Sequence, residues 1–536
     1  MDNQAEKNEV AEYLAKFEEL RAERSQFENH WQECYDHIIP RKAIITTTKS
    51  PGNKRGYELF DTTAITANQQ LGGMLHGFLT NPAVRFADFT VDDPKLMRNE
   101  RVMACLDDCA DIVYNILNQS NFQTEIHEIY LDQGAIGTAC LYMEEDDRFV
   151  VRFSARNMAE IFIDEAPNGS VDTVYRRFEW TPARIVKEFG EETPAKIKEM
   201  AEKGVSDKLE LVHIVKPMDS DDMRSGTFKY ESVYICVSEK LLLSSGGYKE
   251  FPFAVPRWTK TAGEKYGRSP GMDALPDIKM VNAMMETTLA GAQRTVNPPL
   301  MVQDDAVIGS VRLVPGGLTL VRPSNDKPIQ PLIVDARIDF GYQVIEDTRK
   351  RVRAAFFVDK LWLSEGPQMT ATEVMQRSEE GMRFMGPVVG RQHFDGLRPM
   401  MEWVMSVLLR KKLLPAPPEE LRGRRVDVRY SSLVARAQRA GEGRTITQAI
   451  QTIAPLLQIS PESVDVINAD AGVTHILRQV YGMHSDFLRP QKEVKQMREG
   501  RQQAQAEAVQ RAQQEQQTQQ ASQLAPAAAQ VMQASK

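Results

Sequence analysis

Residues 337–368 read RIDFGYQVIEDTRKRVRAAFFVDKLWLSEGPQ, and residues 370–410 read TATEVMQRSEEGMRFMGPVVGRQHFDGLRPMMEWVMSVLLR. The pattern is a helix, a short loop and a second, very long helix. Thr370 and Glu373 stand at capping-box spacing, where each side chain can satisfy a backbone N–H that the helix leaves open. Apolar residues then recur every three or four positions, at Val374, Met385, Val388, Leu397, Met401, Val404 and Leu408. At 1.5 Å per residue, about forty residues span roughly 60 Å. Gly386 and Pro387 interrupt this helix, because proline removes a backbone donor and clashes with the preceding turn. Gly390, Gly396 and Pro399 weaken it again. A long, kinked helix suits an elongated subunit that packs against copies of itself. Two ordinary core helices joined at Pro387 would give the same periodicity.

Upstream, residues 276–294 (PDIKMVNAMMETTLAGAQR) carry Ile278, Val281, Met285, Leu289 and Ala292 on one helical face, and Asn297-Pro298-Pro299 ends the run. VRLV (311–314) and LTLV (318–321) flank Pro315-Gly316-Gly317, a hairpin signal. The chain re-enters a helix near Asp339. The order is therefore helix, small β unit, returning helix, loop, long kinked helix. It resembles the stem, clip, stem, tunnel loop and wing helix of portal (head-to-tail connector) proteins of short-tailed, podovirus-type bacteriophages. The Thr370-Ala371-Thr372-Glu373-Val374 start resembles the helix start that follows the portal tunnel loop.

The 536 residues exceed one simple core and predict several substructures. A hydrophobic content of 42% and a charged content of 26% fit an ordinary folded protein rather than a disordered or membrane-spanning one. No apolar run spans a bilayer, and the polar N-terminus does not read as a signal peptide. Cys34, Cys105, Cys109, Cys140 and Cys236 are scattered, odd in number and without a CxxC, which points to free thiols in a reducing compartment. Cys105 and Cys109 share a helix face with His127 not far along, but buried free cysteine explains them better than a metal. The net charge of −8 argues against tight static nucleic-acid binding over the whole surface. It leaves room for a channel in which DNA slides, since strong phosphate neutralisation would hold DNA in place.

Residues 5–38 read as a helix with Phe27, Trp31, Tyr35 and Ile38 as its core stripe, stopped by Pro40. FDTTAITANQQLGGMLHGFLTNPAVRF follows, capped by Asp61 or Thr62, with Leu71, Met74, Leu75 and Phe78 inward and Gly72-Gly73 marking close packing. A helix over about 98–119 leads into NFQTEIHEIYLDQGAIGTACLYMEED, a helix that turns into a strand at Gly134 to Gly137. Strands are expected at 139–144, 149–153, 160–164, 171–179, 210–215, 231–237 and 253–258, with a tight turn at Asn168-Gly169. Thr181-Pro182 to Gly190 and Thr193-Pro194 to Gly204 predict two short helices with threonine caps. The Phe27–Pro40 opening, the Asp61–Pro82 helix and the segment from Asn121 to Ala139 together resemble the wing of the same connectors, so the resemblance covers roughly residues 10–480. After the Pro415-Ala416-Pro417-Pro418 linker, residues 421–444 are dense in arginine. The Gln- and Ala-rich tail from 491 is either disordered or, by the resemblance, bundles into a barrel.

No catalytic motif is expected: GxxxxGK[ST], HExxH and a strand–helix GxGxxG are missing, and no GxSxG nucleophile elbow is read, although Gly267-Arg268-Ser269-Pro270-Gly271 spells that string. The acidic pairs Glu144-Glu145, Asp146-Asp147 and Asp221-Asp222 read as solvated turns, and His393 and Asp395 do not face one way. Neither an enzyme, a cofactor nor a metal is expected.

The resemblance implies a mainly α, α+β, elongated subunit. Its parts are a wing (1–268), stem helices (269–295 and 337–358), a clip (296–336), a tunnel loop (359–369), a long wing helix (370–414), a crown (415–482) and a barrel-like tail (483–536). It also implies a homododecamer at one capsid vertex. With axes about 8–10 Å apart and a helix about 10 Å across, twelve stem helices leave a bore of roughly 20–28 Å, against a duplex roughly 20 Å wide. Candidate inner-surface residues are Lys360, Leu361, Trp362, Leu363, Ser364, Glu365, Gly366 and Gln368 of the loop. Arg349, Lys350, Arg351 and Arg353 on the stem are further candidates, unless they pair with acids such as Glu346 or Asp347 of a neighbour. Arg422, Arg424 and Arg425 would face packaged DNA from the crown. Implied partners are double-stranded DNA, the terminase large subunit, scaffold protein, major capsid protein and a tail adaptor, in the virion and, during assembly, the host cytoplasm. A packaging-motor enzyme subunit and a scaffold protein without a channel are the rival readings. The missing phosphate loop counts against the first, and the mixed β content against the second.

Overall fold

The structure, a computed structural model, describes residues 2–48, 50, 52–56, 58–83, 85–93, 95–218, 228–302, 307–308, 310–311, 319–321, 329–332, 338–361, 385–424, 426–430, 448–449, 451–452, 469–477, 489 and 493–512. It contains two compact units. One comprises Met1–Asp88, Ala110–Leu414 and Val428–Val434, and the other Phe89–Cys109, Pro415–Asp427 and Ala435–Lys536.

In chain order the first elements are α1 (Asp2–Ile38), α2 (Thr63–Leu79), β1 (Ala87–Val91), α3 (Glu100–Gln119), α4 (Phe122–Ile136), β2 (Cys140–Asp146), β3 (Val150–Arg156), β4 (Ile161–Glu165) and β5 (Val171–Trp180). There follow α5 (Pro182–Phe189), α6 (Ala195–Glu202), β6 (Leu209–Pro217), β7 (Tyr230–Cys236), β8 (Leu241–Tyr248) and β9 (Phe253–Ala254). Strands β4 to β8 form an antiparallel sheet in sequential order, and β3, β2 and β9 form a second, smaller sheet.

Parity along the strands decides the core. Tyr175, Val212, Ile214, Val233 and Ile235 point one way, onto Val10, Tyr13, Phe17 and Leu20 of α1. Residues of the opposite parity, Phe178, Leu209, Leu211 and Cys236, meet Ile185 of α5 and Ile197 of α6. Both faces are covered, so the strands are apolar at consecutive positions instead of alternating with polar ones. Each large apolar side chain buried here contributes about 1.5–3 kcal/mol relative to exposure. Arg24 on α1 is buried too. Its guanidinium lies 3.6 Å from the centre of the Phe162 ring and donates to the carbonyls of Met158 and Ile161, both at 2.9 Å. The second half of α1 presents Trp31, Tyr35 and Ile38 to the interior, with Trp31 edge-on to Tyr266 at 5.0 Å.

The strand that replaces the end of α4 is possible because Gly137 caps the helix at φ +79°, where a Cβ would sit 2.6 Å from the Arg268 backbone. The expected helix-to-strand switch at Gly134 to Gly137 is therefore present.

Several expectations need correction. Strands β1 and β8 were not anticipated, β8 because Ser244, Ser245, Gly246 and Gly247 have low strand propensity and enter the sheet by pairing with β7. Glu144, Glu145 and Asp146 belong to β2, not to a turn: they pair with Arg152, Val151 and Val150 across the hairpin. The cap of α6 is Pro194, while Thr193 is buried one residue before it. Of the Gly72-Gly73 pair only Gly72 is tightly packed, since a Cβ there would lie 2.8 Å from Leu131 Cδ2 and one at Gly73 would meet open space. Residues 312–318, with most of VRLV and the Pro315-Gly316-Gly317 turn, lie outside the described residues; among the described ones Val307–Ile308 pairs with Leu320–Val321, and Leu300–Val302 with Ile329–Pro331.

The Thr370–Glu373 cap and residues 370–384 lie outside the described residues. From Met385 the chain runs as an α-helix (Gly386–Arg391), a π-helical turn (Gln392–Leu397) and a second α-helix (Arg398–Arg410). Pro387 sits in the first turn of its helix, where a missing N–H costs no helical bond, and Pro399 directly follows the π turn. The irregularity inside this stretch is thus the π turn, which brings Gln392 and Asp395 inward together.

Candidate functional site

Two helices, Pro270–Val296 and Ile338–Ala355, pack on one another beyond the sheets. The first begins at Ser269-Pro270. The Ser269 hydroxyl accepts from Met272 N at 2.9 Å and donates to Ala135 O at 2.8 Å, so the cap also anchors the helix to α4. Ile278, Val281, Ile345, Val352 and Phe356 are buried between and around the pair.

Polar contacts fix the pair against the segment before α2. Asn282 Oδ1 accepts from Phe60 N at 2.7 Å, and its Nδ2 donates to Glu58 O at 3.0 Å. Asp61 Oδ2 accepts two bonds from the Arg349 guanidinium, at 2.9 and 2.7 Å. Burial pushes the Asp61 carboxyl up, but hydrogen bonds from Thr63 and Arg349 outweigh it and hold it below the usual carboxylate value. The bond to Asp61 raises the Arg349 guanidinium in turn.

All four expected basic residues of the returning helix have carboxylates within the same subunit. Arg349 meets Asp61 and Glu346, Lys350 meets Asp347 at 3.2 Å, Arg351 meets Asp277 at 3.0 Å, and Arg353 meets Glu346 at 3.3 Å. Asp277 and Asn282 were not singled out in the sequence, and Asp61 only as a possible cap of α2, where Thr62 stands. Only the capping position of Asp61 carried a signal. Lys360 and Leu361 close a short helix, Val358–Leu361, reached through Phe357 at φ +60°. Trp362, Leu363, Ser364, Glu365, Gly366 and Gln368 lie outside the described residues, as does Arg425. Arg422 and Arg424 are exposed just after the turn Glu419–Leu421.

Further along the helix pair the surface becomes apolar. Leu289, Val296 and Tyr342 are exposed, as are Met301, Ile308 and Leu320 of the short strands, with Val296 at 86% and Leu320 at 67%. Such a concentration exceeds the scattered apolar exposure of an ordinary surface.

Among the described residues no three His, Cys, Asp or Glu side chains gather as a metal site, and no helix is long and apolar enough to cross a membrane. All five cysteines are free thiols, and burial pushes Cys109 up to about 12. His393 stacks on Tyr430 with centroids 4.3 Å apart, whereas Asp395 turns to Arg257, so the two do not act together.

The sequence matches, over residues 10–488, the family described as bacteriophage head to tail connecting protein. It is 29% identical over 479 residues to the probable portal protein of Bordetella phage BPP-1, covering 87% of this chain and 86% of that one. It is 30% identical over 513 residues to the portal protein of Salmonella phage epsilon15, covering 92% and 90%. Among solved structures, a chain described as "Neck of empty GTA particle computed with C6 symmetry" aligns over 73% of this chain and 86% of its own, at 10% identity and a TM-score of 0.38. The family match and the two relatives span nearly the whole sequence, and on that ground the chain belongs to the bacteriophage head to tail connecting protein family.

Proposed function

We propose that copies of this chain close into a ring at the head–tail junction, with a central channel that passes double-stranded DNA. The observation that carries this reading is the exposed apolar surface of Leu289, Val296, Tyr342, Met301, Ile308 and Leu320. A second copy of the same chain, applied side by side, covers it. Twelve copies follow from the resemblance, and the bore of roughly 20–28 Å then admits a duplex with little clearance.

In this reading residues 1–268 are the wing, 269–295 and 337–358 the stem, 296–336 the clip and 359–369 the tunnel loop. Residues 370–414 are the wing helix, 415–482 the crown and 483–536 the tail. The internal pairing of Arg349, Lys350, Arg351 and Arg353 supports a stem wall that is close to neutral. Such a wall releases few counterions from DNA and lets it slide. Lys360 and the loop after it touch the duplex, and Lys360→Glu lowers retention of packaged DNA while rings still form. Unchanged retention removes Lys360 from the channel. Arg422, Arg424 and Arg425 face the packaged genome. The work is done by shape and carries no catalysis. The ring seeds head assembly with scaffold and major capsid protein, docks the terminase large subunit, then holds the tail adaptor and releases the genome. The clip makes the motor and adaptor contacts. Its places are the virion's portal vertex and, during assembly, the host cytoplasm.

Negative-stain imaging with mass measurement of the purified protein tests the reading. A ring with a central hole is expected. A monomer under all conditions, or a closed particle without a lumen, overturns it.

A further inference from the structure

Five charged side chains form one alternating row under the π-helical turn. Arg391 Nη1 lies 3.7 Å from Asp395 Oδ2, and Asp395 Oδ2 accepts from Arg257 Nε at 3.0 Å. Arg257 also donates to Glu165, and Glu165 meets Lys260 Nζ at 2.5 Å. Arg257 and Asp395 are 1% and 3% exposed, which makes the middle of the row unreachable by bulk water. The next carboxylate along β4, Asp164, turns instead to Lys265 at 2.8 Å and Lys16 at 3.3 Å. Among the described residues the row therefore holds three cations and two carboxylates, one positive charge in excess.

Its two ends meet again in space. Lys260 and Arg391, the terminal cations, both line one cleft of about 370 Å³, together with Asn168, Gly169, Pro387, Phe394 and Asp395. Arg257 Nη2 donates to Gly169 O at 2.8 Å, so the same network shapes the cleft wall. The π turn begins beside it at Gln392, and such turns recur where a helix is adapted to a site. A partly buried cluster with excess positive charge is costly unless an anion completes it.

We propose that this cleft is an oxyanion site, in which a carboxylate or phosphate group sits between Lys260 and Arg391 and offsets the excess positive charge of the row. The guanidinium offers paired N–H donors to planar or tetrahedral oxygens, and the ammonium supplies the facing charge. Two sources have this chemistry: a free small anion, or an acidic side chain of an adjacent copy. The geometry lies within one subunit, so the site does not depend on ring closure.

The test uses the full chain and inorganic phosphate, titrated against chloride at matched ionic strength, with the thermal midpoint and phosphorus-31 line width as readouts. Phosphate raises the midpoint of the natural protein saturably, and Arg391→Gln weakens the apparent affinity at least tenfold. Lys260→Gln does the same, and Arg391→Lys retains part of the effect. If an adjacent copy is the source, phosphate binds dissociated subunits but not assemblies, and Arg391→Gln lowers the assembled fraction at fixed concentration. The proposal is overturned if the natural protein and Arg391→Gln respond alike to phosphate and also assemble alike.

Discussion

Arg257→Met puts the buried charge network to a stability test. The methionine keeps most of the aliphatic stem and removes the guanidinium from a site where the side chain is 1% exposed. Four acceptors then lose a donor: Asp395 at 3.0 Å, Glu165, Gly169 O at 2.8 Å and Lys265 O at 3.3 Å. Breaking a buried ion pair from one side costs about 3–5 kcal/mol, mostly because a charge is left behind without its partner. Glu165 keeps Lys260 at 2.5 Å, and Asp395 keeps Arg391 at 3.7 Å. The lower end, about 3 kcal/mol, is therefore expected, roughly a hundredfold in the unfolding equilibrium. For a unit this large the urea slope reaches about 3 kcal/mol/M or more, which places the midpoint about 0.5–1 M lower. Tryptophan fluorescence follows the transition, since the adjacent Trp258 is buried. A variant within about 0.5 kcal/mol of the natural protein refutes the reasoning.

Leu289→Glu, on an exposed position, leaves subunit stability within about 0.5 kcal/mol and abolishes ring formation, read by light scattering beside urea unfolding. Gly72→Ala costs about 1–3 kcal/mol through overpacking against Leu131. Gly73→Ala, with open space around its Cβ, stabilises by about 0.5–1 kcal/mol, and thermal midpoints of the pair separate the two cases. His213 is buried, stacks on Tyr234 at 4.0 Å and bonds Ser232 Oγ at 3.0 Å. Burial, with Arg176 and Arg156 beside it, pushes its imidazole down to about 3. Below about pH 6.5 the unfolded chain takes up a proton that the folded chain refuses, so this group's contribution is lost as pH falls toward the folded value, by up to about 1.4 kcal/mol per unit. His213→Phe flattens that slope between pH 6.5 and 4 in urea midpoints. An unchanged slope assigns the acid sensitivity elsewhere.

Local grammar was legible wherever one residue's own backbone preference decides. Pro40, Thr181-Pro182, Gly190, Asn168-Gly169 and Gly137 punctuate the chain where the sequence placed them. Of the stripe Phe27, Trp31, Tyr35 and Ile38, the last three are buried and Phe27 is half-buried. The stripe on the Pro270–Val296 helix is buried only as far as Val281, and Leu289 farther along is exposed. Periodicity identifies an apolar face without saying what covers it.

The two helices observed at Pro270–Val296 and Ile338–Ala355, and the family, followed from the sequence, because spacing and punctuation act over a few residues. Tertiary structure alone decided that Asp61 answers Arg349, that Arg257 joins Glu165 to Asp395, and that the ends of that row share a cleft. Those partners are separated by 92 to 288 residues, so no local rule connects them. Buried charge must find opposite charge, and only the folded chain fixes which one lies within reach.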